Sequence, residues 1–162
     1  MHSVNGLDGR KMTDPEKVPA IPFYKLVGSG IDLASAFKSA VDAFNARDLT
    51  TLMNLCDEGV VVSSIRLRDH HCGKPAVSAY FADRFRINKP TFTPTTTHTT
   101  INPGCTVGHI IGAADWTEFD PSDPPGEYVD GILRYAFNFV SRGNGWLIST
   151  LWTSPDRFTL QS

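Results

Sequence analysis

The sequence lacks a cluster of positive charge and a long apolar run. Its 162 residues carry a formal net charge of -2 at pH 7, so no basic field is available to bind a phosphate backbone, and we expect no nucleic-acid partner. No apolar segment approaches the ~20 residues that span a bilayer, so we expect no membrane partner. With 41% hydrophobic and 20% charged residues, the chain has the size and balance of one globular domain.

Cysteine is also scarce. Only Cys56, Cys72 and Cys105 are present, without a Cys-x-x-Cys pair, and this usage is typical of reduced thiols in a cytoplasmic protein. A disulfide between two of them is the alternative. His70 and His71 precede Cys72, but adjacent strand residues point to opposite faces and no second ligand pair has suitable spacing. We therefore predict no metal site and, without a phosphate-binding loop, no cofactor.

Periodicity changes along the chain and predicts helices before strands. Residues 1–22 lack periodicity and are rich in Gly, Asp, Lys and Pro, which is typical of a flexible N-terminal arm. A single folded domain is therefore predicted over 23–162. Within it we expect a first helix from Ile31 on, a short second helix capped by Asp48, and a third helix over Lys74–Phe85.

Strand patterns dominate the second half of the chain. A short apolar run at Val60–Ile65 precedes the third helix, and longer strands are predicted over Thr91–Ile101 and Thr106–Phe119. Pro94 within the first of these long strands argues for a sheet edge or a bulge. Helices that are segregated in sequence from an antiparallel sheet indicate the α+β class.

The stretch from Val129 to Trp152 predicts a long β-hairpin. Large side chains alternate with small or polar ones along its first arm, and the glycines beside Asn144 suit a two-residue turn. With such a turn one face of the hairpin is aromatic and the other is mixed, whereas a three-residue loop would break this pairing. The aromatic face is predicted to hold Tyr135, Phe137, Phe139, Trp146, Ile148 and Trp152, and the mixed face Arg134, Asn138, Leu147 and Leu151.

Three motifs, taken in order, resemble one superfamily. They are Asn-Ala-Arg-Asp-Leu-x-x-Leu-x-x-Leu-Cys-x-x-x-Val-Val-Val, Gly-Lys-Pro-Ala-Val-x-x-Tyr-Phe, and a hairpin closed by Gly-x-Gly-Trp-Leu-Ile. Between Ile31 and Thr153 this combination resembles the SnoaL-like branch of the NTF2-like superfamily. The resemblance implies a cone, in which a strongly bent antiparallel sheet wraps around three N-terminal helices and encloses a deep apolar pocket. Members include polyketide cyclases, ketosteroid isomerases, scytalone-type dehydratases and epoxide hydrolases, so the fold leaves the reaction open.

Two titratable residues are candidates for catalysis in such a pocket. His98 lies in the threonine-rich strand, and a similar strand of scytalone-type and dehydrochlorinase-type members carries the catalytic histidine. An imidazole there can move a proton near neutral pH; the alternative is a histidine that bonds neighbouring threonines. Asp115 lies late in the next strand, where cyclase-type members place an acidic residue. Strand parity lets only one of Asp115 and Trp116 face the cavity unless a bulge intervenes.

Several further side chains are expected to line the pocket. Tyr80 and Tyr135 can bury a ring and still bond a substrate oxygen, although both also suit a plain core position. Asn45 stands where dehydrochlorinase-type members carry an aspartate, and its neutral amide weakens the case for a dyad with His98. The expected substrate pocket comprises Asn45, Tyr80, Trp116, Tyr135, Phe137 and Trp152.

Two classes of function follow from this sequence. The first is a cofactor-independent isomerase, cyclase or dehydratase that uses general acid/base catalysis on a small hydrophobic carbonyl or hydroxylated compound. The second is a module whose cone holds an apolar ligand or is filled by its own side chains, and which dimerises through the mixed face of the hairpin. A homodimer is expected under both. Polar groups that converge in the cavity would favour the enzyme.

Overall fold

The computed structural model describes residues 23–64, 69–121, 127–142 and 145–159. Three helices and six strands follow one another in those ranges. They are α1 (Phe23–Ala46), α2 (Leu49–Asn54), β1 (Cys56–Ser64), β2 (Asp69–Cys72), α3 (Lys74–Ile87), β3 (Thr91–Ile101), β4 (Val107–Asp120), β5 (Glu127–Arg142) and β6 (Gly145–Thr159). The α+β class is confirmed, and the arm predicted over 1–22 lies outside the described residues.

The six described strands form one sheet in the order β2-β1-β6-β5-β4-β3. β1 and β6 run parallel, and the other neighbouring pairs are antiparallel. β3 is an edge strand of this sheet, which is one of the two positions that Pro94 predicted. Arg142 pairs with Gly145, so the hairpin has the predicted two-residue connection, whose own residues are outside the described ranges.

Local sequence explains where the helices begin and end. The Asp48 carboxylate caps α2 by accepting a hydrogen bond of 3.0 Å from the backbone nitrogen of Thr51, as predicted. α1 begins before the expected Ile31 and ends at Ala46. The next residue, Arg47, has a φ of 57°, which lies in the left-handed region typical of the residue after a helix. In the described ranges, no helix is both long and apolar enough to cross a bilayer.

One face of the sheet, here called the inner face, packs against the helices, and the opposite side is the outer face. Phe37 of α1 stacks on Tyr135 with ring centroids 5.6 Å apart and meets the edge of Phe137 at 5.2 Å. A Cβ atom on Gly108 would lie 2.5 Å from Leu33 Cδ2, so the missing side chain lets α1 approach β4. The inner face therefore forms the core with the helices.

A bulge in β6 exchanges two large side chains between the faces. Ser149 has no partner in β5, and its hydroxyl donates instead to a β5 carbonyl oxygen at 3.1 Å. Trp146 and Ile148 precede the bulge and are buried, as expected for the inner face. Beyond it the alternation is reversed, so Leu151 points inward and Trp152 outward. The prediction that Trp152 shares the aromatic face is wrong for this reason.

A second bulge lies in the edge strand β3. The register with β4 shifts just after Pro94 and leaves one extra residue in β3. Phe92 precedes the bulge and is buried on the inner face, and in an uninterrupted strand His98 would share that face. The extra residue reverses the alternation, so Thr97 points inward and His98 pairs with the exposed Ile111 on the outer face.

Candidate functional site

The inner face and the helices enclose a cavity that has two parts. The inner chamber has a volume of about 60 Å³ and is walled by apolar and aromatic side chains. The vestibule has a volume of about 230 Å³ and a polar wall. Tyr80, Trp116 and Thr153 line both parts and therefore stand where they join. The rings of the chamber are Phe44, Tyr80, Phe81, Phe92, Trp116 and Phe137; the polar side chains of the vestibule include Ser64, Arg84, Asn88, Glu118 and Asp120.

A buried ion pair forms the polar wall of the vestibule. Nη2 of Arg84 donates a hydrogen bond to Oε2 of Glu118. Among the residues whose burial the structure describes, Glu118 is the one buried charged residue, with 3% of its surface exposed. The Arg84 side chain is 19% exposed. A carboxylate so far from water needs a charged partner, and this one has it at a cavity wall.

Residue spacing brings these side chains to one place. Tyr80 and Arg84 are four residues apart on α3 and share one helix face. Trp116 and Glu118 are two residues apart on β4 and share the inner face. Sequence reasoning selected Tyr80 and Trp116 but missed their two charged neighbours. The sequence did contain the information needed to find Glu118, because strand alternation places Glu118 on the same face as an inward Trp116.

Asn88 fixes the end of α3 against β4 beside this ion pair. Its side-chain nitrogen donates to the carbonyl oxygen of Phe119 at 3.0 Å. Its own carbonyl oxygen accepts a hydrogen bond of 2.7 Å from the Phe119 nitrogen. The clamp joins the chain after Arg84 to the chain after Glu118. The two charged groups are thus held by backbone contacts as well as by each other.

The two predicted catalytic residues lie away from the cavity. His98 and Asp115 are both exposed, and they stand opposite the exposed Ile111 and Ile132 respectively. The register of β4 with β5 has no shift, so Trp116 points inward and Asp115 outward. Neither His98 nor Asp115 lines the chamber or the vestibule. The structure therefore brings neither side chain to the cavity, and it does not bring them together there.

The predicted pocket residues divide between cavity, core and surface. Tyr80, Trp116 and Phe137 line the chamber. Trp152 lies on the outer face, where it borders a shallow depression together with His98. This distribution follows from the bulges, because each bulge changes the face of every later residue in its strand.

Asn45 and Tyr135 have structural partners instead. The Asn45 amide accepts from the Phe92 nitrogen at 2.8 Å and donates to the Phe92 oxygen at 2.9 Å, so it satisfies a backbone pair of the edge strand. The Tyr135 hydroxyl donates to the Thr96 carbonyl oxygen at 2.8 Å and lies 3.0 Å from Oγ1 of Thr97. Burial raises the pKa of the Tyr135 phenol. Both side chains hold β3 in place beneath the cavity wall.

Cys56 contributes a thiol to the chamber. Burial raises the pKa of Cys56 to about 11. The Cys56 thiol donates a hydrogen bond of 3.3 Å to the carbonyl oxygen of Leu52. A thiol is a nucleophile only as the thiolate. Cys56 therefore acts as a small apolar lining group at neutral pH.

His71 packs against Tyr80 and lines neither the chamber nor the vestibule. The two rings stack with centroids 4.3 Å apart and an interplanar angle of 25°. His71 Nε2 is buried and has no hydrogen-bond partner among the described residues. Within the described ranges, no three His, Cys, Asp or Glu side chains are grouped so as to hold a metal ion. We assign His71 to the packing of Tyr80.

Comparison of the sequence with models of protein families and with curated proteins gave no match. Solved structures do match. A candidate dehydratase of the NTF2-like family from Streptomyces avermitilis is 19% identical, with a TM-score of 0.65 over 80% of this chain and 97% of that one. A ketosteroid isomerase-like protein from Erwinia carotovora atroseptica is 15% identical, with a TM-score of 0.65 over 78% and 95%.

A third neighbour is described as a different kind of protein. It is a candidate calcium/calmodulin-dependent protein kinase II association domain from Xanthomonas campestris, 18% identical, with a TM-score of 0.63 over 76% of this chain and 84% of that one. Identities of 15% to 19% establish a common fold and not a common activity. The six-stranded sheet around N-terminal helices and its structural neighbours agree with the sequence motifs: this chain has the NTF2-like fold.

Proposed function

We propose that the cavity is the site of a cofactor-independent enzyme that acts by general acid/base catalysis on a small carbonyl or hydroxylated compound. The observation that carries the proposal is the Arg84–Glu118 ion pair at the wall of the vestibule. A few polar groups at the mouth of an apolar cavity are the usual form of a small-molecule site. The predicted pair His98 and Asp115 gives way to these two residues in the proposal.

The proposed roles follow from the charges. The Glu118 carboxylate takes a proton from the carbon beside the substrate carbonyl group, and the C–H electron pair moves into an enolate. Arg84 faces the negative charge that develops on the enolate oxygen, and the Tyr80 phenol is the second candidate donor. Glu118 then returns the proton to another carbon in an isomerisation. In a dehydration, it returns the proton to a departing β-hydroxyl group, which leaves as water.

The structural neighbours support this reaction class without deciding it. One is described as a candidate dehydratase and another as ketosteroid isomerase-like. Both reactions need a base beside an acidic C–H bond and a donor beside an oxygen. Glu118 and Arg84 supply that combination inside a cavity of the same fold.

Proton exchange tests the proposal without knowledge of the natural substrate. The protein is incubated in D₂O with 4-methylpentan-2-one, and deuterium incorporation beside the carbonyl group is followed by NMR. Glu118→Gln keeps the shape of the carboxylate but removes the base, and it should lower the enzymatic exchange rate by about 100-fold or more. The surface variants His98→Ala and Asp115→Asn should exchange like the unaltered protein. Equal exchange by Glu118→Gln, or a loss confined to His98→Ala, would overturn the assignment.

A second candidate function is assembly through the outer face of the sheet. Ile111 and Ile132 are 48% and 45% exposed there, and Ile111 lines a depression that Trp152 also borders. The predicted mixed face of Arg134, Asn138 and Leu147 loses Leu151 to the chamber and gains Trp152. We propose a second copy of this chain as the occupant, since exposed apolar patches mark contact sites, and the association-domain neighbour has this fold.

Solution mass tests the assembly proposal. Light scattering at micromolar concentration should give a dimer for the unaltered chain, and Ile111→Lys should shift it to a monomer. Ala82→Lys, at an exposed position of α3, is the matched control and should remain dimeric. A monomer before any substitution would contradict the proposal.

The cytoplasmic location also stays a proposal, supported by three free thiols.

A further inference from the structure

The inner chamber is small in comparison with the compounds that its aromatic walls suggest. Its volume is about 60 Å³, whereas an apolar cavity of about 150 Å³ holds one benzene molecule. The chamber therefore admits a group of about two or three carbon atoms by the same measure. A six-membered ring does not fit without displacement of the walls.

The walls are not free to make room for a ring. Phe44 is packed against Phe81, Phe85 and Trp116, with ring centroids 6.0, 5.3 and 5.8 Å apart. Phe137 is packed between Phe37 and Phe139 in the same way. Side chains in such clusters occupy close-packed positions, and enlarging the cavity would break several contacts together.

The vestibule sets the orientation of a ligand in the cavity. Polar groups lie at its wall, and the chamber beyond Tyr80 and Trp116 offers mainly apolar surface. A ligand with a polar end thus leaves that end near Arg84 and Glu118, and its apolar end enters the chamber. The distance from the polar end to the apolar end is short, because Trp116 lines both parts.

We propose that the inner chamber is a specificity pocket for a short branched alkyl group, and that the substrate of this site carries such a group in place of an aromatic or steroid ring. The inference rests on the proposed function for the orientation of the substrate. It names the substrate class as small aliphatic ketones, aldehydes or hydroxy compounds with a branched end. Steric exclusion by Phe44, Phe137 and Leu151 carries the discrimination.

A matched pair of ketones tests the chamber directly. In 4-methylpentan-2-one an isopropyl group occupies the place that a phenyl group occupies in 1-phenylpropan-2-one. We expect NMR titration to give a dissociation constant at least about ten-fold lower for the isopropyl compound, although the phenyl compound has more apolar surface to bury. Equal or tighter binding of 1-phenylpropan-2-one by the unaltered chain, or no binding of either ketone, would overturn the inference.

Enlarging the chamber should reverse the preference. Leu151→Ala removes a wall of the chamber, and its matched control is Leu147→Ala, which makes the same change on the outer side of the same strand. Only the first should bind the phenyl compound more tightly than the isopropyl compound. Val41→Ala, in a helix where alanine is favourable, provides a second enlarged chamber if Leu151→Ala does not fold. An unchanged preference in a folded enlarged variant counts against the inference.

The same titration on Glu118→Gln separates this inference from the proposed function. The preference for the isopropyl compound should persist there, because the chamber walls are intact, while proton exchange should be lost. A preference without any exchange in the unaltered chain would remove the catalytic proposal and leave the chamber assignment standing. Proton exchange together with a preference for the phenyl compound would overturn the chamber assignment and leave the catalytic proposal standing.

Discussion

The same residue type is buried on the inner face of the sheet and exposed on the outer face. Ile110 and Ile111 are neighbours on β4, yet 1% of the first and 48% of the second is exposed. Ile110 packs in the core, and Ile111 stands beside His98 at the surface. The side of the sheet, and not the residue type, therefore decides which polar groups meet a ligand in the cavity.

The largest effect should come from the one buried charge in the described core. Glu118→Ala leaves Arg84 without its partner, and loss of one member of a buried pair costs about 3–5 kcal/mol of unfolding free energy. Asp115→Ala, on the outer face of the same strand, should change it by less than about 0.5 kcal/mol. Urea denaturation of both variants measures the difference.

The double variant Arg84→Met with Glu118→Leu controls for the charge itself. Apolar replacement of both partners should restore most of the stability that Glu118→Ala loses. If Glu118→Ala costs no more than Asp115→Ala, the ion pair is not buried in solution as it is in the structure.

The two isoleucines of β4 give the next largest difference. Ile110→Ala opens a cavity in the core and should cost about 2–5 kcal/mol. In the monomeric chain, Ile111→Ala removes a half-exposed side chain and should cost less than about 1 kcal/mol. Similar losses in the two variants, measured by the same denaturation at a concentration where the chain is monomeric, would contradict the exposed position of Ile111.

A glycine of the same strand should give a smaller and purely steric effect. A Cβ atom at Gly112 would lie 1.9 Å from the Thr96 carbonyl oxygen and 2.7 Å from the Tyr135 hydroxyl oxygen. Gly112→Ala therefore forces the β3 bulge to shift, at a cost of about 1–3 kcal/mol. At Gly59 the nearest atom is 3.9 Å away, so Gly59→Ala is the control. An unchanged unfolding free energy in Gly112→Ala would show that β3 moves freely.

The smallest effect is expected at the rim of the sheet. A hydrogen bond and the charge of Arg142 hold the pKa of the Asp57 carboxyl below its ordinary value of 3.8. A lowered pKa in the folded state favours folding above the ordinary value, and this contribution is lost as pH falls through the lowered one. Since Arg142 is 62% exposed, water screens the pair, and we expect its contribution to the unfolding free energy to be the smallest of this series.

Acid titration of stability checks this rim pair. Asp57→Asn should flatten the decline in unfolding free energy below the ordinary aspartate pKa, and it should leave the stability at neutral pH slightly reduced. The same acid slope in both proteins would mean that Arg142 does not act on Asp57 in solution.

Periodicity was sufficient to predict most elements. Thr91–Ile101 is a strand with the predicted bounds, and the third helix extends only two residues beyond the predicted Phe85. Such features depend on local alternation and turn residues, which a sequence displays directly. The NTF2-like cone was reached through motifs that lie in these elements.

The two bulges explain what periodicity did not supply. An extra residue near Pro94 turns His98 outward, and another at Ser149 exchanges Leu151 and Trp152. A bulge depends on how a strand meets its neighbours, and one added residue reverses every later side chain. Pro94 signalled an irregularity but not its direction.

The ion pair was missed for a different reason. A charged residue on a helix or strand usually faces water, so Arg84 and Glu118 carried no visible sign of burial. Their spacing from Tyr80 and Trp116 was informative only once Trp116, and not Asp115, was placed on the inner face. Prediction of the site thus depended on whether Trp116 or Asp115 was placed on the inner face.

Tryptophan side-chain NMR tests the central claim, that ligands bind on the inner face beside Arg84 and Glu118. Trp116 lines the cavity and Trp152 borders the outer depression, and substitution of each tryptophan by phenylalanine assigns its indole N–H signal. During titration with 4-methylpentan-2-one, the Trp116 signal should shift to saturation while the Trp152 signal stays in place. A saturable shift of Trp152 with an unmoved Trp116 would contradict the account and place the ligand site on the outer face.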